Sequence, residues 1–319
     1  MSSTTLSRLV DGAFPPVTTM LCRRMQPSLY RYVWRVSAPQ QIRLCLLTAV
    51  LAPLAMAPLE LQRRLVNEAI GSADVDLLLT LGGLYLAVIV VHGGLKYVRN
   101  LYQGRVAEGV VRVLRLRLAR EAEEEERGAG TLVSMAAAEA EHLGGFVAES
   151  LAGPLLHLGT FLAVLGYMLW IEPAIAALAL VLFVPTVTLV PLLQNRINRY
   201  VAERTRLMRE LGDEMTGEET EGDDAYNQRI ESIYATRLRI YALKFLLKAI
   251  NNGLGHIGPL GILLFGGWLV IQGETELGTI VAFISGFERL LNPSRDLVNL
   301  YREFSRMRVQ YGLFIERMQ

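Results

Sequence analysis

The chain has 319 residues, 52% of them hydrophobic, and its 32 basic side chains nearly balance 31 acidic ones for a formal net charge of +1. Its mean hydropathy of +0.32 lies above the range of water-soluble domains, while the charge balance gives nucleic acid no basic surface to bind. Two cysteines, Cys22 and Cys45, and four scattered histidines argue against a disulfide framework and a metal centre.

In chain order, residues 1–40 read as a cytoplasmic N-terminal segment. Asp11, Gly12, Pro15 and Pro16 interrupt the stretch after Arg8, so the start does not read as a cleaved signal and is expected to be retained. Leu29, Tyr30, Val33 and Trp34 alternate with Arg23, Arg24, Arg31 and Arg35. This pattern suits an interfacial amphipathic helix with arginines at the headgroups, the alternative being a disordered tail.

From residue 41 to 319 the sequence reads as an all-α, polytopic membrane domain. Crossing about 30 Å of hydrocarbon takes about 20 mostly apolar residues, and charge-free stretches predict six transmembrane helices at about 43–60, 77–98, 151–171, 173–195, 249–272 and 277–298. Ile171, Glu172 and Pro173 leave room only for a tight turn between the third and fourth. The sixth has the shortest apolar run, Leu277 to Phe287, and needs Glu288 and Arg289 to face protein or water. Six spans with both termini cytoplasmic leave Arg63 and Arg64 as the only basic residues outside, the asymmetry expected of a multi-pass protein of the cell's inner membrane.

Two connections, 95–150 and 195–249, are too charged for lipid, and no proline lies between Leu59 and Gly153 or between Leu192 and Gly258. The helices are therefore expected to run on out of the membrane as two long cytoplasmic helical hairpins, each arm reaching roughly 35 to 40 Å. One tip carries an acidic run at Glu121 and Glu123 to Glu126, which reads first as helix surface. The other holds Glu214, Glu218, Glu219, Glu221, Asp223 and Asp224 in a window without Lys or Arg. That window is either a solvated loop or a docking surface for a basic patch, and it lacks the ligand alternation of a calcium loop.

Polar groups inside spans face a bundle interior, where they line a pathway or bridge helices. His92, Thr160, Tyr167, Asn252 and His256 are the pathway candidates, the last two sharing a helical face by their four-residue spacing. Gly82, Gly83, Gly93, Gly94, Gly253, Gly255, Gly258 and Gly261 read as close-packing positions.

Gly130-Thr131-Leu132-Val133-Ser134, followed by Glu139-Ala140-Glu141, resembles the first intracellular loop of an ATP-binding cassette (ABC) exporter's type-1 transmembrane domain. Gly273-Glu274-Thr275-Glu276-Leu277-Gly278-Thr279 with Val281-Ala282-Phe283 resembles that family's turn into its sixth helix. Pro293, Leu297 and Phe314-Ile315-Glu316-Arg317 resemble the helix's end. Two positions depart from the pattern: Met135 stands where the family commonly has Arg, and the second loop is acidic where it usually mixes apolar residues with Lys. The resemblance implies that Gly130, Leu132, Ser134, Glu139 and Glu141, with the second acidic tip, dock a nucleotide-binding ATPase domain or subunit. It also implies a second transmembrane domain, here a homodimer, around one pathway.

The sequence has no Gly-Lys dipeptide and hence no Walker A loop. The expectation is a chain that is not itself an ATPase and binds no cofactor of its own, with ATP and Mg held by the partner. A separate ATPase chain, a truncated half-transporter and a degenerate relative remain open. The functional expectation is the translocation part of an exporter with an unidentified substrate; the rival is a non-transporting scaffold or regulatory subunit that binds through its acidic tips.

Overall fold

The computed structural model describes residues 29–124, 140–216 and 223–317, and every element there is helical. We number the helices α1 Leu29–Leu54, α2 Ala57–Arg64 continued by a π-helical turn Leu65–Ile70, α3 Val75–Glu124, α4 Ala140–Glu149, α5 Ala152–Ile171, α6 Pro173–Thr216, α7 Asp223–Gln272 and α8 Leu277–Arg317. They group into two compact units: one holds residues up to Gly166 and from Asn292 onward, the other Tyr167–Leu291.

In the first unit, α1 breaks at Ser37, whose φ of −135° is non-helical. Pro39 explains the position, because it offers no N–H to the helix and its ring crowds the carbonyl four residues back. Ser37 Oγ donates to Val33 O at 2.9 Å, and Gln41 Nε2 donates to Val147 O at 2.6 Å, which ties α1 to α4. Leu44, Tyr102, Val106, Ala148 and Ala152 form a core there. Gly144 lets α4 approach so closely that a Cβ would strike the Val111 side chain and lie 2.8 Å from Ala107 O.

Toward the first loop, Leu61, Ala69 and Leu81 make a second small core, and Gln62 Nε2 donates to Tyr85 Oη at 3.1 Å. The π-helical turn closes with Asp74 N–H on Ala69 O and Ala73 N–H on Ile70 O, the paired bonds of a Schellman end. Ala73 holds the left-handed position at φ 55°. Asp74 then caps α3, its Oδ1 accepting the Leu77 N–H at 3.0 Å.

In the second unit α6 and α7 pack along one another. Ile175, Ala176, Ala179, Ile262, Ile280, Phe283 and Phe287 are buried. Glycines on α7 make the crossings possible: Gly258 faces Phe287, Gly261 faces Leu182, and Gly266 faces Ile280 and Ile175. Gly273, at φ 77°, ends α7 with Glu274 N–H on Leu269 O.

The long arms are found: α3 and α7 have 50 residues each and α6 has 44. At 1.5 Å per residue a 50-residue helix is about 75 Å long, far beyond one bilayer. The returning first arm is not continuous, since α4 and α5 are separated by a turn at Ser150 and Leu151. Pro154 in the first turn of α5 cannot donate back to Ser150, so the helix restarts there. The turn at Glu172 is as expected, a single residue between α5 and α6.

Five stretches of the described residues are long and apolar enough to cross a membrane: Ser37–Ile70, Val75–Leu116, Ala140–Ile171, Pro173–Gly212 and Tyr226–Gln272. α8 is not among them, because Glu288 and Arg289 end its apolar run at Phe287. The expected packing role of glycines holds for Gly258 and Gly261. At Gly82, Gly83, Gly93, Gly94, Gly253 and Gly255 an added Cβ would meet nothing within 4 Å in the single chain. The first four lie on α3, whose most apolar window is entirely unburied in the single chain.

Candidate functional site

Of the expected docking residues, Gly130, Leu132, Ser134, Glu139, Glu218, Glu219 and Glu221 lie outside the described residues. Glu214 falls in the last turn of α6, and Asp223 and Asp224 open α7. Glu141, in the first turn of α4, has its carboxylate 3.9 Å from Arg115 Nη2 with both side chains largely exposed, a loose pair that adds little stability.

The pathway candidates are dispersed. His92 on α3 and Thr160 on α5 are half-buried in the first unit. In the second, Tyr167 is buried, whereas Asn252 and His256 are exposed one turn apart on α7. The shared face of Asn252 and His256 is therefore observed.

The first unit gathers instead a polar pocket of about 260 Å³ lined by Glu149, His157, Asp296, Asn299, Leu300 and Glu303. The lining arrives from three parts of the chain. Glu149 ends α4, His157 lies in the second turn of α5, and the other four occupy α8. Two packing contacts hold these helices together here. Phe146 and Phe304 have ring centroids 5.8 Å apart, and Gly153 lets Glu149 and Leu300 close in, a Cβ there falling 2.7 Å from Glu149 Cγ and 3.3 Å from Leu300 Cδ1.

His157 Nδ1 is 3.4 Å from Asp296 Oδ2, with side chains 17% and 46% exposed. Glu149 lies in the field of two like charges, Glu303 and then Asp296, and of one opposite charge, Arg99. Arg99 is only 4% exposed. Its Nε donates to Thr48 Oγ1 at 3.2 Å and its Nη1 to Asn100 Oδ1 at 3.1 Å, but its Nη2 meets no acceptor among the described residues. His157 also feels Arg99 and Lys96. The pocket thus gathers three carboxylates and one imidazole around a small volume. Among the described residues no group of three His, Cys, Asp or Glu side chains is placed to hold a metal ion.

The sequence signals of this pocket are faint but real. Asp296, Leu300 and Glu303 are spaced i, i+4, i+7 and so share one helical face. His157 counts in the sequence only as one polar span residue among many, and Glu149 stands at a span boundary where a charge is ordinary.

No protein-family model matches the chain. Over 278 residues it is 25% identical to a multidrug efflux ATP-binding/permease protein of Mycobacterium bovis, a match covering 79% of this chain and 22% of the relative. A multidrug efflux ATP-binding/permease protein of Mycobacterium tuberculosis is 26% identical over 279 residues, with the same coverage. The putative multidrug export ATP-binding/permease protein YgaD of Bacillus subtilis is 24% identical over 182 residues, covering 53% of the chain and 31% of the relative. The chain spans about a fifth of the length of the two mycobacterial relatives. The resemblance to ABC exporters drawn from the loop motifs is borne out by these likenesses, and the all-α membrane fold by the helices.

Proposed function

We propose that the chain is the membrane-spanning translocation part of an ABC-type exporter, driven by a nucleotide-binding domain that carries the ATP and Mg. The observation that carries this reading is the pairing of likeness to exporters over 79% of the chain with helices of 44 to 50 residues. Such helices exceed any bilayer, and their charged ends suit them to transmit movement between an ATPase and the membrane. The reading places residues 1–40 and both termini on the cytoplasmic side of the inner membrane, and makes the outer half of α8 the sixth span.

A second copy completes the pathway. Tyr226, Ile230, Tyr234, Leu238, Tyr241 and Phe245 are all exposed on α7, and their spacing of three or four draws an apolar stripe about 28 Å long. On a helix arm in water such a stripe is costly unless another surface covers it, and a homodimer would cover it.

Copurification from native membranes tests the reading. An ATPase domain should accompany the chain, and ATP turnover should depend on it. Recovery of the chain as a monomer with no ATPase in either its own polypeptide or a partner would overturn it.

A further inference from the structure

One face of α6 changes from apolar to basic where the apolar run of the helix ends. Leu189, Leu192, Arg196 and Arg199 are spaced i, i+3, i+7 and i+10 and so share one side of the helix. Leu189 and Leu192 are 44% and 63% exposed, and both arginines are exposed as well. Asn195, three residues after Leu192, is exposed beside them. Apolar surface followed by guanidinium is the order in which a phospholipid presents its acyl chains and its phosphate to a helix leaving a bilayer.

The charge at this level is one-sided. Gly261 against Leu182 and Gly266 against Ile175 set α7 antiparallel to α6 in a register that brings Lys244 and Lys248 within about a turn of the level of Arg196 and Arg199. Between Glu172 and Glu203, and again between Glu231 and Glu274, the sequence has no Asp or Glu. Residues 196–202 and 232–248 lie beyond the apolar runs, so hydrocarbon does not exclude acid from them. Farther along the arm the pattern differs, and Arg206 Nε pairs with Glu210 at 3.0 Å. Arg196 and Arg199 make no ion pair among the described residues, and Glu203, one turn beyond Arg199, pairs with neither. The chain thus leaves positive charge unanswered at the height where a bilayer supplies phosphate.

We propose that this face of α6 binds one anionic phospholipid, its phosphate held by Arg196 and Arg199 and its acyl chains laid along Leu192 and Leu189. Guanidinium groups match phosphate with paired, charge-assisted hydrogen bonds, and Asn195 adds a neutral donor. Lys244 and Lys248 raise the local potential that draws an anionic headgroup from the leaflet. Bound there, the lipid ties the membrane end of the arm to the bilayer. The site rests on α6 crossing the membrane and not on what the chain transports.

The test is native mass spectrometry of the purified full chain in mixed micelles of phosphatidylglycerol and phosphatidylethanolamine with identical acyl chains, at constant ionic strength. One phosphatidylglycerol is expected to stay bound about tenfold more than phosphatidylethanolamine. Arg196→Gln/Arg199→Gln should lose that preference, and Arg196→Lys/Arg199→Lys should keep part of it. Arg206→Gln/Arg209→Gln, an equal loss of charge farther along the arm, should leave it unchanged. Should the first variant not fold, the single changes Arg196→Gln and Arg199→Gln replace it, each expected to lower the preference about threefold. Equal retention of the two lipids, equal loss in the two Gln pairs, or displacement of the lipid by inorganic phosphate would overturn the proposal, the last by showing a site for free anions. Neither ATP nor a partner enters the measurement, so its failure leaves the transport reading standing, and absence of an ATPase partner leaves the lipid site standing.

Discussion

Phe287 lies so close over Gly258 that a Cβ on the glycine would overlap the edge of the phenyl ring, and Phe287 is fully buried. The crossing of α7 with the first part of α8 therefore depends on the absence of one methyl group. Gly258→Ala should destabilise the chain by about 1 to 3 kcal/mol, the usual range for overpacking. It should read as a lower midpoint in thermal unfolding in detergent, and Phe287→Leu in the same chain should restore part of the loss. Gly255→Ala, where a Cβ meets nothing, serves as the comparison. Equal effects at both glycines would show that helix propensity rather than the crossing sets the outcome.

Ala73 poses the opposite problem. It occupies a left-handed position at the end of the π-helical turn, a conformation that costs an L-residue roughly 1 kcal/mol or more and glycine almost nothing. Ala73→Gly should stabilise by about 0.5 to 1 kcal/mol after allowance for the glycine's greater freedom when unfolded. Ala73→Val should do the reverse. Thermal unfolding of the two variants side by side decides, and a glycine variant no more stable than wild type would count against the geometry.

The sequence reveals the fold more fully than the site, and the reasons are physical. Hydrocarbon thickness and charge cost impose long apolar runs, so spans such as 77–98 are legible from composition alone. The break at Ser150 is not, because Pro154 acts on a carbonyl four residues earlier, across the boundary of the third apolar run. Glycine roles are half legible: Gly258 and Gly82 look alike in sequence, and only the partner helix distinguishes them. Asp296 and Glu303 are legible as a helical face, but nothing in their spacing shows that Glu149 and His157 arrive from α4 and α5 to close a pocket.

Topology has a direct measurement. With Cys22 and Cys45 replaced, single cysteines at Ser72 and Thr220 should respond differently to an impermeant thiol reagent in intact cells. On the proposed orientation Ser72, exposed at the turn between α2 and α3, should label; Thr220, in the acidic connection, should label only after the membrane is opened. The reverse pattern would invert the arrangement of both termini and both hairpins.

For the dimer, Tyr234 and Leu238 are the informative pair, since they sit mid-stripe on α7 and are both exposed in the single chain. Tyr234→Glu with Leu238→Glu should lower the dimer fraction in native-membrane crosslinking while leaving the stability of the monomer within about 0.5 kcal/mol, as surface changes usually do. An unchanged dimer fraction would place the contact elsewhere and leave the stripe to another partner.

The acidic connection gives a prediction in which salt is the variable. Glu218, Glu219, Glu221, Asp223 and Asp224 stand in a stretch without Lys or Arg, so any basic partner they dock is attracted mainly by field rather than by packing. Attraction of that kind fades as the Debye length falls toward about 10 Å at 0.1 M salt, and it governs association rate more than affinity. Wild-type chain should therefore copurify with its partner better at low salt than at moderate salt. A variant with those five carboxylates changed to Gln or Asn should give the lower yield under both conditions, since most of the field is gone. A solvated loop with no docking role predicts something different in kind: wild type and variant would recover the partner equally at either salt concentration. That equality would remove the acidic tip from the interface and leave the first connection to carry the contact.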